Sequence, residues 1–215
     1  MTGVFVVLEG LDGSGTTTQA ELLAQWFAGE GARFGKCVST CEPTPGPAGS
    51  IARMVLNHRF ALDSKTMALL FAADRTDHVH KTGDNLQEPG ISHLLRQGVH
   101  VVCDRYLLSS LAYQSLDLPM AWVAQINGQV IAPDITIYID VAPHISMGRL
   151  QEGRFHRDLY EVAETQSRVQ VLYEQAIDFL QKEGQHICRV DGNQPEETVR
   201  RAILREVLPL LERAR

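Results

Sequence analysis

Gly10, Gly13 and Gly15 separate an apolar run, Val4 to Leu8, from an amphipathic stretch that begins near Thr16 and carries Leu22, Leu23, Trp26 and Phe27. The run suits a buried parallel strand and the stripe suits a helix, so the glycines mark a sharp turn between them. Glycine allows the backbone to aim several N–H groups into one concavity, where the helix N-terminus adds partial positive charge. Such a cup binds phosphate. The order Gly10-Leu11-Asp12-Gly13-Ser14-Gly15-Thr16-Thr17 follows the spacing G-x-x-x-x-G-K-[ST], in which Lys reaches the terminal phosphates and the last hydroxyl ligates Mg²⁺. One letter departs. Position 16 is Thr, which offers a hydroxyl hydrogen bond but no charge.

Asp104 ends a second apolar run, His100 to Asp104, and a carboxylate at such a tip is placed to hold Mg²⁺ directly or through water. Arg105-Tyr106 then opens a helix whose Ser110, Tyr113 and Gln114 share a face, although Ser109 and Ser110 also suit helix N-terminal residues that satisfy backbone groups, the commoner role for serine. Phe71 and Arg75 lie one turn apart, so a ring and a guanidinium fork could together stack on and hydrogen-bond a nucleobase. Taken alone, Phe71 reads as core and Arg75 as the partner of a surface carboxylate. Cys41-Glu42-Pro43-Thr44-Pro45-Gly46-Pro47 is an ordered loop at the ligand-binding edge of a sheet, or a plain connector; Arg53 follows on an amphipathic piece. Arg149, Arg154 and Arg157 fall in a stretch without apolar periodicity, which reads as a loop that closes over an anion or as a solvated turn.

These residues need a scaffold, and the remaining pattern supplies one. Strands are expected at Val4 to Leu8, weakly around Lys36 to Thr40, and at His100 to Asp104, Ile135 to Asp140 and His186 to Asp191, alternating with helices. Asp63-Ser64 supplies a helix N-cap, Pro119 to Gly128 a short helix, Pro143 a helix start, and Leu159 to Leu180 a long helix ended by Gly184. A length of 215 residues, 44% of them hydrophobic, fits a single α/β domain over 1–215 with one doubly wound, mainly parallel sheet. The net charge of −6 argues against a general nucleic-acid surface, and no apolar run is long enough to span a bilayer. A cytoplasmic protein is expected, with Cys37, Cys41, Cys103 and Cys188 as buried free thiols and the eight histidines on the surface.

Taken together, Glu9-Gly-Leu-Asp12-Gly-Ser-Gly15, Glu42-Pro43, Phe71-Ala-Ala-Asp74-Arg75, Asp104-Arg105-Tyr106 and Ser110-Leu-Ala-Tyr113-Gln114 resemble the thymidylate kinases, in order and approximate spacing, over nearly the whole chain. The Phe-x-x-x-Arg helix and Ser-x-x-Ala-Tyr-Gln are the more specific parts; the phosphate loop and Asp-Arg-Tyr occur among nucleotide kinases generally. The resemblance implies a P-loop NTPase-type five-stranded parallel sheet flanked by helices, with a short arginine-bearing lid near 150–158. It further implies phosphoryl transfer from ATP to deoxythymidine monophosphate with Mg²⁺, in a homodimer. The same-class alternative is a kinase for another nucleoside monophosphate or a deoxynucleoside; the alternative from another class is a catalytically impaired nucleotide-binding protein, for which Thr16 speaks.

Roles carry over position by position. Phe71 would stack on thymine, Arg75 would bond its carbonyl oxygen, and Ser110 or Gln114 would take the ring N–H side. Tyr113 would crowd the sugar where a ribose hydroxyl would sit, with Glu42, Pro43 and Ser109 also at the acceptor. Arg53 and Arg105 would clamp the acceptor phosphate, and Asp12 would orient the 3′-hydroxyl. Gly10, Leu11, Asp12, Gly13, Ser14, Gly15, Thr16, Thr17 and Thr18 would surround the donor phosphates, Thr17 and Asp104 the metal, and Arg149 would lie along the adenine. Because Gly13 leaves the loop without an arginine, Arg154 and Arg157 inherit the catalytic task. Two letters depart from the family pattern: Thr16 for Lys, and Cys41 for the Arg that commonly precedes Glu42-Pro43.

Overall fold

The structure, a computed structural model, describes residues 2–81, 89–150 and 157–214, with the side chains of 150 and 157–163 outside the description. Its five strands are β1 (Phe5–Gly10), β2 (Cys37–Cys41), β3 (His100–Asp104), β4 (Ile135–Asp140) and β5 (Ile187–Asp191). They form one all-parallel sheet in the order β2-β3-β1-β4-β5. The helices are α1 (Thr16–Ala28), α2 (Pro47–Leu56), α3 (Ser64–His80), α4 (Ile91–Arg96), α5 (Leu107–Gln114), α6 (Met120–Ile126), α7 (Pro143–Leu150), α8 (Arg157–Lys182) and α9 (Glu196–Ala214).

Successive residues of a strand face opposite sides of the sheet, so a strand covered on both faces is apolar at every position. β1 is such a strand. Val4, Val6 and Leu8 pack on Leu23, Trp26 and Phe27 of α1 and on Val199, Ile203 and Val207 of α9. Phe5 and Val7 face the other way, toward Leu108 and Leu111 of α5 and Tyr173, Ala176 and Ile177 of α8. Consequently α1, which follows β1, and α5, which follows β3, lie on opposite faces. Their connections diverge above the carboxyl ends of two neighbouring strands, which opens the crevice where parallel sheets bind ligands.

Three details correct the sequence reading. Arg105 and Tyr106 precede α5 instead of opening it, and Arg105 takes a left-handed backbone at φ 68. Not all histidines are on the surface: His100 is buried in β3, its Nδ1 accepting from the Val4 N–H at 2.9 Å while Nε2 meets the Phe34 carbonyl at 2.9 Å. All four cysteines are free and lie in strands, but only Cys103 is buried. Asp63 does cap α3, its side chain accepting from the N–H groups of Lys65 and Thr66.

Candidate active site

The chain leaves β1 at Gly10, where an added Cβ would lie 2.8 Å from the Ile139 carbonyl of the neighbouring strand, so only glycine lets the loop start that close to the sheet. Gly13 and Gly15 have φ of 81 and 93, a left-handed backbone that side-chain-bearing residues disfavour. Gly15 is the N-cap of α1 and no side chain caps that end. The first-turn N–H groups of α1 therefore remain for an anion. Beside this cup the Thr17 hydroxyl donates to Asp104 Oδ2 at 2.5 Å, while Asp104 Oδ1 and Ser14 Oγ are buried without a partner among the described residues. A hydroxyl and a carboxylate with one oxygen to spare make an oxygen donor set that fits Mg²⁺ shared with phosphates. No cluster of three or more His, Cys, Asp or Glu that could hold a metal occurs among the described residues.

Arg105, from the turn after β3, reaches across to the loop. Its Nη2 donates to Asp12 Oδ1 at 2.6 Å and its Nη1 to the Gly10 carbonyl at 2.9 Å. Its guanidinium lies over the Tyr113 ring, whose hydroxyl accepts from the Asp12 N–H at 3.1 Å. Burial pushes the Tyr113 and Tyr173 phenols up, so both keep their protons at neutral pH. Donor capacity on the Arg105 fork remains for a second anion.

The third component joins the Glu42 loop to α3. Arg75 is buried, and Nε donates to Glu42 Oε2 at 2.7 Å, Nη1 to Asn127 Oδ1 at 2.5 Å, and Nη2 to both the Tyr106 carbonyl and Ser110 Oγ, at 3.0 and 2.8 Å. Its partner is thus a buried carboxylate and not a surface one, and one Nη1 hydrogen of the five donors remains free of these bonds. Glu42 also meets His78 Nδ1 at 3.0 Å, and His78 Nε2 meets Thr40 Oγ1 at 2.8 Å. Asp74, buried beside Arg75, accepts from the Thr44 N–H at 2.7 Å and the Thr44 hydroxyl at 2.5 Å, pinning the loop after Pro43. Arg53 donates to Cys41 Sγ at 3.2 Å and also to the Pro43 carbonyl. Phe71 is half-buried one turn from Arg75. Gln114, one turn beyond Ser110, keeps a buried Oε1 with no partner among the described residues.

The Arg105-Tyr106 turn thus joins the phosphate loop to the buried Arg75 cluster, Arg105 reaching Gly10 and Asp12 while the Tyr106 carbonyl accepts from Arg75. The family model described as thymidylate kinase matches residues 8–203. The chain belongs to the thymidylate kinase family. It is 37% identical over 179 residues to a "Probable thymidylate kinase" of Pyrococcus horikoshii, covering 80% of this chain and 82% of that one. It is also 35% identical over 208 residues to one of Methanococcus aeolicus, covering 95% of each, and 39% identical over 179 residues to one of Pyrococcus abyssi, covering 80% and 82%. Family membership makes this chain a nucleotide-binding transferase of the kinase type.

Against that family, Arg149 has a definite place: from α7 it donates to the phosphate-loop carbonyls of Gly13 and Ser14 at 3.5 and 3.4 Å and to the Gly192 carbonyl at 3.0 Å. Arg154 lies outside the described residues, as does the side chain of Arg157 at the start of α8. The sequence reading gave no role to Glu9, Asp74, His78, Asn127, Gln166 or Tyr173. Asp74 and Glu9 lie inside the Phe71-to-Arg75 and Glu9-to-Gly15 motifs, so their positions carry a local signal. Asn127 and Gln166, whose Nε2 reaches Asp12 Oδ2 at 3.5 Å, carry no local signal.

Proposed function

We propose that this kinase transfers the γ-phosphoryl group of ATP to deoxythymidine monophosphate, giving dTDP and ADP for dTTP synthesis. The observation that carries the reading is the buried Arg75 site, with one N–H to spare and Gln114 Oε1 unpartnered one turn beyond the Ser110 that holds it. A thymine ring offers a carbonyl oxygen for such a donor and an N–H for such an acceptor. Gln114, whose buried Oε1 has no partner among the described residues, takes the ring N–H, and Phe71 takes the ring face. Tyr113 borders the sugar, Asp12 orients its 3′-hydroxyl, and Arg105 with Arg53 binds the acceptor phosphate.

The donor phosphates occupy the α1 cup, with Thr16 and Thr18 among its lining, and Arg149 borders the adenine. Thr17 and Asp104 hold Mg²⁺, which supplies charge neutralisation on the phosphates when bound. The residues of the chain then act by position: Arg105 and Asp12 fix the acceptor, the loop N–H groups fix the donor, and exclusion of water strengthens each contact. Four unpaired cysteines suit the reducing cytoplasm. No helix among the described residues is long and apolar enough to cross a membrane. Exposed Ile51, Met54, Leu56, Phe60 and Leu69 on and beside α2 and α3 supply an apolar face for a homodimer.

A second reading, impaired catalysis, has one observation in its favour, the uncharged Thr16. Coupled ADP release with a panel of nucleoside monophosphates and deoxynucleosides separates the two. The expected result is turnover with the highest kcat/KM for deoxythymidine monophosphate, above uridine, cytidine and purine monophosphates. Equal values for uridine and deoxythymidine monophosphates would refute the acceptor assignment. A folded, nucleotide-binding protein that releases no ADP until Thr16→Lys is introduced would establish the impaired reading instead.

A further inference from the structure

Glu9 is the fully buried carboxylate at the end of β1, and none of the substrate contacts above uses it. Its Oε1 accepts from the N–H groups of Tyr106 and Ser109 at 2.8 and 3.0 Å, and its Oε2 accepts from the Ser109 hydroxyl. The Tyr173 hydroxyl stands 3.4 Å from Oε2. Backbone N–H groups cannot accept, so this surround suits the ionised, acceptor-only carboxylate. Burial holds the Glu9 carboxyl above the usual carboxylate range, although the Ser109 hydroxyl, the Arg105 charge and the two N–H groups each pull it down.

The groups that Glu9 holds are the groups that hold Arg105. The Arg105 backbone is left-handed, unusual for a residue with a long side chain, and is followed directly by the Tyr106 N–H on Glu9. The Arg105 Nη1 donates to Ser109 Oγ at 3.2 Å and to the Tyr173 hydroxyl at 3.3 Å. The single Ser109 hydroxyl proton goes to Glu9, which leaves its oxygen to accept from Arg105. Ser109 thereby links the carboxylate to the guanidinium. Elsewhere the fork meets the Gly10 carbonyl and Asp12 on the phosphate loop and lies over the Tyr113 ring.

We propose that Glu9 is a positioning residue for phosphoryl transfer: by gripping the turn after Arg105 and the Ser109 hydroxyl beneath it, Glu9 aims the Arg105 guanidinium at the acceptor phosphate. This rests on the reading that Arg105 binds that phosphate. A structural carboxylate would lower stability and spare the difference between substrates. A positioning carboxylate changes acceptor binding alone, and only while Arg105 is present.

The experiment is a double-mutant cycle of Glu9→Gln and Arg105→Ala, with KM and kcat measured for both substrates. Glu9→Gln keeps the side-chain shape and one carbonyl acceptor. It is expected to raise the acceptor KM about tenfold, the scale of one weakened charge-assisted hydrogen bond, with the ATP KM unchanged. In the Arg105→Ala background it is expected to add less than about twofold, because the group it acts through is gone. A full multiplicative loss in that background, or equal changes in both KM values, overturns the proposal while leaving the Arg105 assignment intact. An Arg105→Ala protein with unaltered acceptor KM overturns the Arg105 assignment and this proposal together. If Glu9→Gln does not fold, Ser109→Ala enters the same cycle, since it removes the link between the two charges, and the same outcomes decide.

Discussion

Converting Arg154 and Arg157 together to Ala is expected to lower kcat by on the order of 10³, the scale of a lost transition-state arginine, while acceptor binding holds. The transferred phosphoryl group spreads charge over three equatorial oxygens, and catalysis consists largely of neutralising and aligning it. This chain has neither an arginine at Gly13 nor a lysine at Thr16. The nearby described cations are engaged: Arg105 on Asp12 and Gly10, Arg149 on the outer carbonyls of Gly13, Ser14 and Gly192. Described residues that precede and follow Arg154 and Arg157 in the chain meet the site: Arg149 donates to the Ser14 carbonyl and Gln166 to Asp12. Single-turnover rates for Arg154→Ala, Arg157→Ala and the double variant check the assignment, and near-normal rates in all three place the catalytic cation elsewhere.

The parts of this site that were legible in the sequence are those whose signal is local. The β1-turn-α1 unit announces itself because the apolar run, the three glycines and the amphipathic stripe are contiguous, and Asp104 because it closes an apolar run. What spacing does not encode is which elements become neighbours. Glu9 and Ser109 are 100 residues apart and meet because β3 lies beside β1, a consequence of sheet order. Asn127 reaches Arg75 from the end of a short helix, 52 residues away, and nothing in its surroundings sets it apart from a surface amide. His100 misled for a related reason. As the first residue of β3 its polar ring looks solvated, yet the Val4 N–H and Phe34 carbonyl on either side satisfy both nitrogens and let it be buried.

Arg75 is the residue whose reading the structure changes most, and its removal is expected to act twice. Arg75→Ala takes the counter-charge from Glu42, whose side chain is 2% exposed, and leaves the Asn127 and Ser110 oxygens without their donor. Breaking a buried pair by deleting one partner costs about 3–5 kcal/mol, so the denaturation midpoint should fall sharply. The acceptor should also bind more weakly, by about 1.5–3 kcal/mol for one hydrogen bond from a charged group, with ATP affinity unchanged. The two effects are separable because they have different causes. Replacing both partners with apolar groups, as in Glu42→Leu with Arg75→Met, removes the stranded charge and is expected to recover much of the stability. It cannot return an N–H to the base, so acceptor binding stays weak. If the double variant regains acceptor affinity along with stability, Arg75 is a scaffold for the Glu42 loop and the thymine carbonyl is bonded by another group.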